Sequence, residues 1–221
     1  MFSLRSLAPC LLLIGLTGCA STQKVSLAEG PREYVSYDYD QILDRWTRKG
    51  TLVAPNEFDD LLVLTSTFES WDFRWAYTVR YAEDYRLTVD QRQQLLDASL
   101  AESRAEHRFY IALHGSNRRW NDLSRKDAAW VVRLIDDKGN ETPARLIKSV
   151  SRPGALERTY FPYTNVWRQV FRVTFPAQRD DGSPSIAPDA RWVGLRVAGP
   201  QGHTELVWEL ATRGGSKQAA R

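Results

Sequence analysis

The stretch V-W-R-Q-V-F-R-V-T-F at 166–175 indicates the fold class of this chain. One face of an extended segment here would carry Trp167, Phe171, Val173 and Phe175, and the opposite face Arg168 and Arg172. This alternation with period two is typical of a β-strand that is buried on one side. The stretch therefore predicts a strand, and the surrounding sequence can be searched for partners of the same kind.

Alternating segments recur on both sides of this stretch. Strands are predicted at about 60–67, 107–114, 129–136, 142–150, 191–198 and 203–210. Asp137-Lys138-Gly139-Asn140 is typical of a hairpin turn. Many short strands joined by turns with Gly or Pro favour an antiparallel β-sandwich, with its bulk from Phe109 onward.

A further strand is predicted at 71–81, W-D-F-R-W-A-Y-T-V-R-Y, where the odd positions are apolar and the even ones mostly polar. Its aromatic row consists of Trp71, Phe73, Trp75 and Tyr77. Rings that alternate along a strand usually face a second layer of the protein. The row is interpreted as core, and exposure for ligand binding stays an open alternative.

Two helices are predicted in the N-terminal half. The first lies near 38–48, where Ile42, Leu43 and Trp46 have helical spacing. The second lies near 88–105, where Thr88 and Gln91 fit a capping box ahead of a leucine stripe. The fold class is therefore mainly β with minor α.

Three stretches resemble uncharacterised bacterial lipoproteins that carry an immunoglobulin-like domain. They are W-V-V-R-L-I-D-D-K-G-N at 130–140, V-F-R-V-T-F-P at 170–176 and V-G-L-R-V-A-G-P-Q-G at 193–202. The resemblance implies an immunoglobulin-like sandwich. It carries no functional residue, and the Cys…Trp…Cys arrangement of antibody-type domains is absent from the sequence.

The N-terminus has the pattern of a secretory signal peptide. Arg5 precedes an apolar run from Leu7 to Leu16, which is too short to span a bilayer. Leu16-Thr17-Gly18-Cys19 resembles the lipobox of bacterial prolipoproteins. That resemblance implies cleavage after residue 18 and acylation of Cys19, with two or three acyl chains giving stable membrane attachment.

The predicted organisation has four parts: a signal peptide at 1–18, a lipid-anchored flexible tether at 19–33, a single domain at 34–212 and a disordered tail at 213–221. Ala20 stands where enterobacterial lipoproteins retained in the inner membrane carry aspartate. The resemblance therefore favours the periplasmic face of the outer membrane if the source is Gram-negative.

The sequence lacks the catalytic, metal-binding and phosphate-binding motifs that could indicate an activity. G-x-S-x-G, H-E-x-x-H, the phosphate-binding glycine loops and the EF-hand loop are all absent. His107 and His114 are seven residues apart, which places them on opposite faces of one strand. Acidic and basic residues are interspersed around a net charge of +3, which argues against nucleic acid as a partner. We therefore predict no enzyme, metal site or cofactor.

The candidate binding surface rests on aromatic residues, since the chain has 8 Trp, 9 Tyr and 8 Phe. Tyr160-Phe161-Pro162-Tyr163 crowds three rings into an expected loop, where partial exposure is predicted, and Trp120 follows the basic pair Arg118-Arg119. The function predicted is a membrane-anchored envelope lipoprotein that binds a protein partner. The alternative is a module for glycan or another cell-wall ligand that uses exposed Tyr160 and Tyr163.

Overall fold

A computed structural model describes residues 23–53 and 60–211. Within these two ranges the chain forms nine strands and four α-helices. The strands are β1 Thr47–Val53, β2 Asp60–Phe68, β3 Glu106–His114, β4 Val131–Asp136, β5 Glu141–Pro143, β6 Leu146–Ser149, β7 Gln169–Pro176, β8 Trp192–Gly199 and β9 Gly202–Glu209. The helices are α1 Tyr39–Trp46, α2 Trp71–Asp84, α3 Val89–Ala105 and α4 Ala155–Tyr160.

The strands form two antiparallel sheets, which confirms the predicted mainly β class with its sandwich-like packing. One sheet has the order β1-β2-β3-β7-β6 and the other β5-β4-β8-β9. The sheets pack face to face through aromatic rings: Phe109 of β3 lies 5.6 Å and Phe68 of β2 lies 6.1 Å from Trp208 of β9. The strand predicted at 142–150 is divided into β5 and β6, which belong to different sheets.

The five-stranded sheet is covered on both faces, so the molecule has a third layer made of helices. Phe109, Ile111 and Leu113 of β3 lie between the sheets, whereas Tyr110 stacks on Phe161 at 3.8 Å on the outer face. Because both faces are covered, residues 109–113 are buried without interruption.

The prediction of a strand at 71–81 is wrong, because this segment is helix α2. Ser70 caps the helix by accepting a hydrogen bond from the N–H of Phe73. In a row of alternate residues, each residue also has a partner four positions away. Residues four positions apart are neighbours on one face of a helix. Trp71 and Trp75 lie 6.5 Å apart, and Tyr77 lies 6.0 Å from Tyr81. Of the predicted aromatic row, Phe73 is buried and Trp71, Trp75 and Tyr77 are half-buried.

The two predicted helices are confirmed as α1 and α3. Thr88 and Gln91 form the capping box in both directions, with N–H to side-chain distances of 3.0 and 3.3 Å. Leu96 and Leu100 are the buried side chains of α3. Strand β1 and helix α4 are elements that the sequence patterns did not predict.

The predicted tether at 19–33 is wrong from Val25 onward. Val25 is buried; its N–H donates to the carbonyl of Glu209 and its carbonyl accepts from the N–H of Ala211, both at 2.8 Å. Farther along, Arg32 forms an ion pair with Asp72 at 2.9 Å. Apolar packing and ion pairing thus hold this segment on the domain. The signal peptide, Cys19 and the tail at 213–221 lie outside the described residues.

Candidate functional site

The predicted surface of Tyr160, Phe161 and Tyr163 is not exposed, so that part of the prediction is wrong. Helix α4 turns these rings onto the outer face of the five-stranded sheet. Tyr160 and Phe161 are each 2% exposed, and Tyr163 is half-buried. The Tyr160 hydroxyl donates to Asp84 at 2.8 Å, and the Tyr163 hydroxyl lies 2.7 Å from the Thr67 hydroxyl. These tyrosines therefore pack the helical layer against the sheet.

The exposed aromatic residues include Trp120, which belongs to the candidate binding surface named from the sequence, and Trp167, which was predicted to lie on a strand face; Tyr37 and Tyr85 are exposed elsewhere. Trp120 is 39% exposed and Trp167 is 78% exposed. Strand β7 begins only at Gln169, because the Asn165 side chain accepts from the N–H groups of Trp167 and Arg168 and holds a turn there. Asn165 was the sequence signal that could have placed Trp167 in a loop.

Trp120 and Trp167 belong to neighbouring loops, which we call the distal tip and define as residues 114–120 and 164–168. His114 ends β3, and its Nδ1 lies 3.2 Å from the carbonyl oxygen of Trp167. The loop to Trp120 starts at the next residue. Arg118 and Arg119 are exposed, and neither segment contains Asp or Glu. The distal tip therefore combines exposed indole rings with positive charge.

The distal tip and Val25 lie at opposite ends of the sandwich. His114 is at the end of the five-stranded sheet where β1 ends and β2 begins. Leu52, near the end of β1, lies beside Gly202 at the start of β9. Val25 lies beside Glu209, at the other end of β9. An eight-residue strand spans about 26 Å, which sets the separation of the two ends.

A cleft of about 260 Å³ opens between α2, α3 and the outer face of the five-stranded sheet. We call it the arginine cleft, because Arg74, Arg108 and Arg172 line it together with Glu69 and Glu102. Arg74 and Arg108 both donate to the Glu102 Oε2 atom, at 3.1 and 3.0 Å. Burial lowers the pKa of Arg74, and the charge of Arg108 lowers it further. The cluster is cationic and has an apolar wall, with Arg74 buried and Arg108 and Arg172 half-buried.

The described part of the chain gives no support for a metal site or for a membrane-spanning helix. Across 23–53 and 60–211, no group of three or more His, Cys, Asp and Glu residues is placed to hold a metal ion. No helix within those ranges has both the length and the apolar composition needed to cross a membrane. The distal tip and the arginine cleft are the two candidate functional surfaces.

His107 makes the protein sensitive to acid. Burial lowers its pKa to about 4, and the charge of Arg74 contributes. An unfolded chain takes up this proton near pH 6.5, whereas the folded chain does so only near pH 4, so stability falls as the pH drops through that window. We expect this residue to account for a loss of about 2 kcal/mol in the free energy of unfolding between pH 7 and pH 5.

Urea denaturation at a series of pH values measures this contribution. His107→Gln should lack it, whereas His203→Gln, at an exposed position on β9, should keep the acid sensitivity of the parent. Equal pH dependence in the parent and in His107→Gln would contradict the assignment.

Comparisons with known proteins do not assign a function to this chain. No protein-family model matches the chain. No curated protein matches it either. A crystal structure of a novel protein of unknown function from Burkholderia pseudomallei K96243 is similar at 14% identity and a TM-score of 0.39. The match covers 77% of this chain and 81% of that one.

Proposed function

We propose that this chain is an exported bacterial lipoprotein that is anchored through lipid on Cys19 and binds a protein partner in the cell envelope. Its signal peptide, residues 1–18, is removed, and the role of the domain is non-enzymatic. In a Gram-negative source the anchor lies in the periplasmic face of the outer membrane. The lipobox-like motif Leu16-Thr17-Gly18-Cys19 supports the anchor.

The observation that carries the proposal is the attachment of Val25 to the end of the domain opposite the distal tip. Cys19 and Val25 are six positions apart. Six residues span at most about 21 Å. An anchor this close to Val25 holds that end of the domain near the membrane, and the distal tip then faces away from it. The exposed surface of the distal tip is therefore available to a partner beyond the anchoring leaflet.

The chemistry of the distal tip favours a protein partner with negative charge. Trp and Arg are the residue types that contribute most to protein interfaces, where a few of them supply much of the binding energy. Trp167, Arg118 and Arg119 are exposed in segments that lack carboxylates. A glycan ligand is the alternative, and it would now depend on Trp120 and Trp167 because Tyr160 is buried.

The sandwich itself is proposed to be immunoglobulin-like. If β2, β3, β4 and β5 are equated with strands A, B, C and C′, then β6, β7, β8 and β9 become D, E, F and G. The sheet orders β2-β3-β7-β6 and β5-β4-β8-β9 then correspond to ABED and C′CFG. Strand β1 and the helices are additions to this framework.

The experiment that tests the proposed function is photo-crosslinking in intact cells. A photoreactive phenylalanine at position 167 of the full chain should give one discrete adduct with an envelope protein, identified by mass spectrometry. Charge reversal at Arg118 and Arg119 should weaken the adduct at least threefold, because the surface would then repel a negatively charged partner.

The matched control carries the same photoreactive residue at position 37, because Tyr37 is 79% exposed and Trp167 78%. Identical adducts from both positions would show nonspecific contact and contradict the proposal. Adducts with cell-wall glycan instead of protein would replace it with the glycan-binding alternative.

A further inference from the structure

The arginine cleft contains two arginines that lie on neighbouring strands. Tyr110 of β3 pairs with Arg172 of β7, and Arg108 pairs with Thr174. Arg108 and Arg172 are therefore diagonal neighbours on the outer face of the sheet, a relation in which residues are typically about 7–8 Å apart. Two arginines at this spacing can both reach one small anionic group held between them.

Hydrogen-bond donors in this cluster outnumber the acceptors that the protein supplies. Arg74 is 2% exposed, and its Nη2 atom has no hydrogen-bond partner among residues 23–53 and 60–211. The Nε atom of Arg172 also has none. A buried cation without full pairing is costly unless another group compensates it.

The two carboxylates of the lining are already engaged with arginines. Glu69 accepts from Arg108, and Glu102 accepts from both Arg74 and Arg108. The nearest carboxylate to Arg172 is Glu157, with 3.7 Å between Nη2 and Oε1. The lining itself holds three arginines and two glutamates, and Glu157 lies outside it, at the edge of ion-pairing distance from Arg172. An occupant with a single negative charge would pair with Arg172 more closely than Glu157 does.

The remaining wall of the arginine cleft is apolar. Phe73, Tyr77, Leu95 and Phe161 line it beside the arginines. Burial raises the pKa of Tyr77 above its ordinary value, so its phenol stays neutral. A volume of about 260 Å³ is slightly below the usual range for ligand sites, which is roughly 300–1,000 Å³. A fitting occupant is therefore small, with one anionic end and an apolar body.

We propose that the arginine cleft binds a small monocarboxylate with an aryl or medium-length acyl body. The carboxylate lies between Arg108 and Arg172, and the buried charge of Arg74 stabilises it from behind. The body packs on Phe73, Leu95 and Phe161. This site depends neither on the lipid anchor nor on the distal tip.

Equilibrium dialysis of the full chain with 4-phenylbutyrate tests the site, and 4-phenylbutyramide serves as the neutral ligand of the same shape. The carboxylate should bind at least tenfold more tightly than the amide. Arg172→Gln should reduce carboxylate binding at least tenfold, whereas Arg118→Gln, at the distal tip, should leave it unchanged.

Arg172→Gln is preferred to a change at Arg108, because Arg108 pairs with Glu69 and Glu102 and its loss could unfold the helical layer. Equal binding of acid and amide, or undiminished binding by Arg172→Gln, would overturn the proposal. Displacement of the ligand by an equal concentration of inorganic phosphate would also overturn it, because the apolar body would then contribute nothing. The crosslinks at position 167 are independent of all three results.

Discussion

Replacement of Asp72 by alanine is expected to lower the free energy of unfolding by about 3–5 kcal/mol. The Asp72 carboxylate is 6% exposed and accepts from the Arg32 Nε atom, the Tyr34 hydroxyl and the Trp46 Nε1 atom. It joins the N-terminal segment, α1 and α2 at one point. Alanine would leave three donors without their acceptor in a partly buried place, which is more costly than the loss of the bonds alone.

Urea denaturation followed by tryptophan fluorescence measures the effect. Asp97→Ala is the matched control, since Asp97 is exposed on α3 and accepts from Gln93. This control should change stability by less than about 0.5 kcal/mol. The loss of stability in Asp72→Asn should lie between those of Asp72→Ala and Asp97→Ala, because asparagine keeps an acceptor but not the charge. A loss in Asp72→Ala no greater than in the control would show that the cluster contributes little.

Replacement of Cys19 by serine is expected to abolish lipid attachment completely. A hydroxyl cannot form the thioether that holds the diacylglyceryl group, and each buried methylene of an acyl chain contributes about 0.8 kcal/mol to membrane binding. Metabolic labelling with palmitate should mark the parent protein and leave the variant unlabelled. The mass of the parent should correspond to a chain that starts at Cys19.

Cys10→Ser provides the control, because Cys10 is the other cysteine of the chain and lies within the predicted signal peptide. It should be labelled like the parent. Palmitate incorporation that survives Cys19→Ser would rule out the lipobox assignment and with it the orientation proposed for the distal tip.

The strands were predictable where apolar and polar residues alternate in the sequence, as along β7 and β9, although β7 is buried on both faces in the structure. The helix α2 was not, since its rings recur at every second position and satisfy the spacing of a strand as well as that of a helix. Ser70 before the first turn and the small Ala76 and Ala82, both buried, were the signals for a helix. Periodicity along the sequence cannot by itself distinguish a strand from a helix when rings at every second position are also four positions apart.

The candidate sites were less predictable than the fold. An aromatic run beside proline suggested an exposed loop, but tertiary contacts with Tyr110 and Asp84 bury Tyr160 and Phe161. Trp120, the remaining member of the candidate binding surface, is 39% exposed. The arginine cleft could not be found in the sequence, because Arg74, Arg108 and Arg172 come from three separate elements that only the folded sheet and helices bring together.

The helices α2 and α3 leave and rejoin the five-stranded sheet at one place. The N–H of Glu69, just after β2, donates to the carbonyl of Arg108 in β3 at 2.8 Å. The strands β2 and β3 thus form a β-hairpin in which the helices α2 and α3 take the place of the turn. Sites of this kind tolerate exchange of the inserted segment. Relatives that carry a short turn here would keep the sandwich and lose the arginine cleft, so the framework and the proposed binding site can diverge separately during evolution.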